Sequence, residues 1–90
     1  MPSRFDLERF VCDVLHRHDP IHIGLRLDEY DLEVRLIVDQ LGAVRSVEQL
    51  RTSIHKIFVS CFGALSAGEA NRYSAVTNEI WSFLALTRRH

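Results

Sequence analysis

Residues 46–63 read Ser-Val-Glu-Gln-Leu-Arg-Thr-Ser-Ile-His-Lys-Ile-Phe-Val-Ser-Cys-Phe-Gly. Ser46 and Gln49 stand three apart, the spacing of a capping box in which each side chain can satisfy a backbone N–H at the start of a helix. Leu50, Ile54, Ile57, Phe58 and Cys61 then recur at three- and four-residue intervals, the mark of one buried helical stripe. Gly63 closes the segment. A stretch with its own start signal, stripe and stop predicts a helix.

The same grammar is found on both sides of it. Ser3 and Asp6 form a capping-box-like start, followed by Leu7, Phe10, Val11, Val14 and Leu15. This helix covers about residues 4–17 and ends before Asp19-Pro20, because proline drives the preceding residue out of helical geometry. Asp28 caps the next helix, and Glu29 and Asp31 lie in its first turn, where the helix dipole favours them. Tyr30, Val34, Ile37, Val38 and Leu41 make its inward stripe, and Gly42 is expected as its left-handed C-terminal residue. Ser66-x-x-Glu69 predicts the start of a fourth helix, established from Ala70, with Tyr73, Val76, Ile80, Phe83 and Leu84 inward and Trp81 on the flank. Between the first two helices, Ile21, Ile23, Leu25 and Leu27 alternate with His22, Gly24 and Arg26, which predicts an extended connector or a short edge strand in a dimer. The expected fold is all-α: a four-helix bundle, or an irregular four-helix array, with that connector between helices one and two. It forms a single domain over residues 1–90.

Composition sets limits on function. The 90 residues are 47% hydrophobic and 26% charged, with a formal net charge of −1. That is too apolar for disorder and lacks the positive excess of an autonomous nucleic-acid binder. The apolar stretch Ile57–Leu65 is interrupted by Ser60 and Gly63 and is too short to span a bilayer. The N-terminus turns acidic where a signal peptide needs apolar residues. Cys12 and Cys61 belong to no CxxC pair, so reduced thiols and a cytoplasmic location are expected. Charge is uneven: residues 1–43 hold nine acids against five arginines, residues 44–90 six bases against three acids. An acidic and a basic side follow, able to steer a charged partner.

Four groups of residues carry candidate chemistry. Cys12, His16, His18 and His22 are ligand types that zinc accepts. Their C-x3-H-x-H-x3-H order is no recognised zinc pattern, and His18 points away from the Cys12–His16 face. Asp28-Glu29-Tyr30-Asp31, with Asp19, offers carboxylates to a hard cation such as magnesium, but capping a helix explains Asp28 and Asp31 equally well. No metal and no cofactor is expected. Arg51 and His55, four apart on one helix face, supply the cation and base that a nuclease needs, at a tighter spacing than helical ribonucleases use. Leu32 and Leu36 on helix two, and Trp81 on helix four, lie outside the main stripes and are candidate interface residues, with homodimerisation the commonest cover.

Asp19-Pro20-Ile21-His22-Ile23-Gly24, followed by Asp28-Glu29-Tyr30-Asp31 and helix two, resembles a group of small bacterial helical proteins. These proteins combine a D-P-I-G-like turn with a D-E-Y-D motif and are known mainly as domains of unknown function. The match covers about residues 19–41. The resemblance implies an α-helical bacterial protein without catalytic residues to carry over. Small size and mild acidity are also shared with immunity-type proteins, which occlude a toxin's active site.

The expected function is a non-enzymatic protein-interaction module, immunity-type or otherwise regulatory, with Asp28, Glu29, Asp31 and Glu33 presented to a basic protein partner. The alternatives are a small metal-dependent or Arg/His hydrolase of nuclease type and a structural homodimer.

Overall fold

Ser46 sits in extended geometry (φ −147°, ψ 161°) and its Oγ accepts the Gln49 N–H at 3.1 Å. This opens α3, Val47–Phe62. In return the Arg45 N–H donates to Gln49 Oε1 at 2.8 Å, one residue earlier than in a standard capping box. Leu50, Ile54 and Phe58 are fully buried and Ile57 packs at the edge of the core, while Cys61 is half-buried beside it.

The computed structural model describes residues 3–18 and 31–88. The connector predicted around Ile21–Leu27, the Asp28 cap and Tyr30 therefore lie outside the described residues. Among the described residues every regular element is helical, and there are five α-helices with one 3-10 turn. α1 spans Arg4–His18, opened by a reciprocal box: Asp6 N–H to Ser3 Oγ at 3.2 Å and Ser3 N–H to Asp6 Oδ2 at 3.3 Å. It buries Val11, Val14 and Leu15. α2 spans Asp31–Leu41 and buries Val34, Ile37, Val38 and Leu41.

Two expectations about glycines change. Gly42 is not left-handed, since positive φ occurs among the described glycines only at Gly63 and Gly68. The end of α2 is closed instead by the Gln40 carbonyl, which accepts from both Ala43 N–H (2.9 Å) and Val44 N–H (3.1 Å). That tight turn lets Val44 bury beside Leu41 in the core. The predicted capping box at Ser66 and Glu69 does not open a helix either. Ser66 lies inside a one-turn helix, α4 (Ala64–Ala67), and a 3-10 turn at Ala70–Tyr73 leads into α5, Ser74–Arg88. The reason is Gly63 at φ +86°, ψ 157° and Gly68 at φ +75°, ψ −159°. Both are conformations essentially reserved for glycine, and together they cut the chain before and after α4.

Carbonyls at the end of α4 are held by side chains. Tyr73 Oη donates to the Ala67 carbonyl, Arg72 donates to Ser66 O at 3.1 Å, and His55 Nε2 lies 2.8 Å from Gly68 O. With these carbonyls satisfied, Ala67 is buried in the core while Ala64, Leu65 and Ser66 face solvent.

α1 packs on α2 and α5, and α3 on α2, α4, α5 and the 3-10 turn. The core joins Val11, Val14 and Leu15 to α2, α3 and the inward side of α5, where Val76, Ile80 and Leu84 are buried. Phe58 and Tyr73 meet at its centre, ring centroids 4.9 Å apart. At the rim, Arg4 reaches Glu8 (2.8 Å) and Asp39 (2.7 Å), tying the start of α1 to the end of α2.

Gly63→Ala is expected to lower stability by about 1–3 kcal/mol through backbone strain alone, because nothing lies within 4 Å of the added Cβ. Gly68→Ala should cost more: its Cβ would fall 2.6 Å from Arg72 Cζ and displace the side chain that holds Ser66. Urea unfolding of the two variants side by side measures the difference.

Candidate functional site

The acidic face anticipated at the start of α2 loses a member. Glu33 is 4% exposed. Position 33 lies one turn before Ile37, so it continues the buried stripe backwards, a placement the i, i+4 spacing already carried. The Cys61 thiol on α3 hydrogen-bonds to the Glu33 carboxylate, and its pKa is pushed up by burial, by the negative charge of Glu33 and by that bond. Asp31 opens α2. Asp28 and Glu29 lie outside the described residues.

Of the candidate interface residues, Leu32 is 56% exposed, while Leu36 and Trp81 are half-buried and Trp81 packs on the core. α2 and α5 do not pack against each other, so Leu32 and Leu36 do not join Trp81 in one patch.

Arg51 and His55 share a side of α3 but do different work. The His55 imidazole, 2.8 Å from the Gly68 carbonyl, must carry a hydrogen on Nε2, since a carbonyl only accepts. That nitrogen is committed to the turn. Arg51 lines a groove of about 220 Å³ between the starts of α3 and α5, with Glu48, Ser74, Thr77 and Asn78 among its walls. Thr77 Oγ1 is buried there without a hydrogen-bond partner.

The Cys/His group divides. Cys12 Sγ and His16 Nδ1 lie 3.3 Å apart along one face of α1. His18 turns to Glu79 (Nε2–Oε2 3.0 Å), which Arg17 also contacts at 3.1 Å. His22 lies outside the described residues. Among the described residues no three His, Cys, Asp or Glu side chains are grouped to hold a metal ion, and no helix is long and apolar enough to cross a membrane.

An apolar groove of about 390 Å³ lies between α1 and α5, which sequence reasoning did not single out. Its floor is Phe10 stacked on Phe83, centroids 4.2 Å apart and planes within 14°. Leu86 forms one wall at 63% exposure, and Arg17 and Glu79 form a paired polar rim. Phe83, expected on the inward stripe, lies outside the core, and its offset with Leu86, three residues on, from the buried Val76–Ile80–Leu84 line was the available signal. Trp81 drew attention to the same helix, but on a different side. Against known proteins, no family model, no curated protein and no solved structure matches the chain.

Two outcomes are expected from this geometry. Glu33→Lys should lower stability by about 3 kcal/mol or more, read as a collapse of the urea midpoint, because an ammonium replaces a carboxylate in a closed site. For Glu79, burial raises the carboxyl, but the hydrogen bond with His18 and the charge of Arg17 more than offset it, and the net pKa lies below the usual carboxylate value. A depressed carboxylate adds stability above its unfolded pKa and loses it as pH falls through the folded one. Glu79→Gln should therefore destabilise the protein at pH 7 by no more than about 1 kcal/mol. The difference from wild type should vanish below about pH 3 in denaturant midpoints measured across pH.

Proposed function

We propose that the chain is a non-enzymatic protein-interaction module whose four long helices, an irregular four-helix array, present the α1–α5 groove to a protein partner. The observation that carries this reading is the Phe10–Phe83 floor with Leu86 exposed beside it. A concave apolar surface with a charged rim is the geometry that accepts one or two apolar side chains from a partner helix. Desolvating Leu86 favours association at roughly 25 cal/mol per Å² buried. Arg17 and Glu79, already paired with each other, can stay at a wet rim and leave no buried charge unpaired. The two charges at the groove, Arg17 and Glu79, cancel, so its apolar floor carries the affinity.

The test compares tagged wild type with Leu86→Glu, co-purified from native cells at low and moderate salt. A stoichiometric partner should accompany the wild type and fall at least about tenfold with the variant, the loss expected from removing one central apolar anchor. Thermal melting should be unchanged, because Leu86 is 63% exposed. A partner retained equally by Leu86→Glu overturns the groove, and so does recovery of the protein alone. A doubled mass in light scattering that the variant returns to monomer assigns the groove to a second copy instead.

A further inference from the structure

The two cysteines sit in opposite surroundings. Cys61 is hydrogen-bonded to a buried carboxylate, and burial and that charge push its thiol up. Cys12 lies one helical turn from His16, with Sγ 3.3 Å from Nδ1. Cys12 also lines a groove of about 290 Å³ between α1 and α2, beside Arg9 and Arg35. The acids of that groove are Glu8, already paired with Arg4 at 2.8 Å, and Asp13. Neither Arg9 nor Arg35 has an ion pair among the described residues.

We propose that Cys12 and His16 form a thiol-modification site that takes an anionic disulfide of the glutathione class through the α1–α2 groove. With its hydrogen on Nε2, His16 presents the Nδ1 lone pair to the Cys12 S–H and accepts that proton as sulfur attacks. One S–S bond forms between Cys12 and half of the disulfide, and the incoming S–S bond breaks. The Cys12 sulfur is oxidised and the departing half is reduced. It leaves as a thiolate, which takes its proton from the His16 imidazolium or from water. The carboxylates of such a disulfide find Arg9 and Arg35 at the groove. Beside Cys61 stands a carboxylate instead of an imidazole, and the charge of Glu33 opposes formation of a thiolate there. The site is separate from the α1–α5 groove and does not depend on the partner reading.

The experiment incubates the full chain with glutathione disulfide at neutral pH and follows each cysteine by intact mass and peptide mapping, folded and in urea. Folding should raise the rate at Cys12 by about a hundredfold, the low end of a positioned general base, and lower it at Cys61. His16→Gln should remove the gain at Cys12 with the melting curve unchanged. Arg9→Gln and Arg35→Gln should slow glutathione disulfide but not the neutral 2-hydroxyethyl disulfide. Equal rates at Cys12 folded and unfolded overturn the proposal without any variant. A Cys12 rate indifferent to His16→Gln in a folded protein overturns it as well.

Discussion

Two glycines in backbone conformations closed to other residues decide where the last helix runs. Gly63 ends α3 and Gly68 ends α4, and between them the chain reverses over a single helical turn. Such a reversal exposes backbone carbonyls that neither helix can satisfy. His55, Arg72 and Tyr73 supply the missing donors, two from beyond the turn and one from α3. Only with the turn pinned to α3 does α5 start beside the N-terminal half of α3 and continue to α1. There Glu79 meets Arg17 and His18, and Phe83 meets Phe10. The apolar groove is thus a product of a turn more than ten residues away.

His55 illustrates how a residue type suited to catalysis can be recruited by the backbone. Its spacing from Arg51 gives the right side of the helix, yet the nearest acceptor is a carbonyl of the returning chain. An imidazole with its hydrogen on Nε2 serves that carbonyl as a donor, so the ring is spent on holding the turn. The same logic separates the cysteines: a carboxylate neighbour restrains one thiol, and an imidazole neighbour assists the other.

What could be read in the sequence was local. The Ser46 and Ser3 boxes, the α1 and α3 stripes and the stop at Gly63 depend on contacts within four residues, and each is found in the structure. Features set by distant chain were not legible. Gly42 was read from residue type, but Val44 could reach the core only through a tighter turn. The Ser66 box had suitable residues and spacing, and was overridden by the glycines flanking it. Glu33 looked like one more acid in an acidic run, although its interval from Ile37 put it on the inward face. The pairing of Phe10 with Phe83 joins positions that no periodicity links, so the offset of Phe83 and Leu86 could mark a second apolar side of the helix but not the α1 ring it meets.

Arg17 and Glu79 are 62 positions apart in the chain, and this separation bears on how the protein is made. Contacts between α1 and α5 close the largest loop of the fold, and loop closure of this span is slow compared with the pairing of neighbouring helices. During synthesis α1, α2 and α3 can assemble first, because each packs on the next. Until α5 has been synthesised, Phe10 has no ring to stack on and the inner face of α1 lacks half its cover. A chain cut before α5 would therefore leave the Phe10 ring in water, and the α1–α2–α3 part alone would carry an apolar face that the full chain covers.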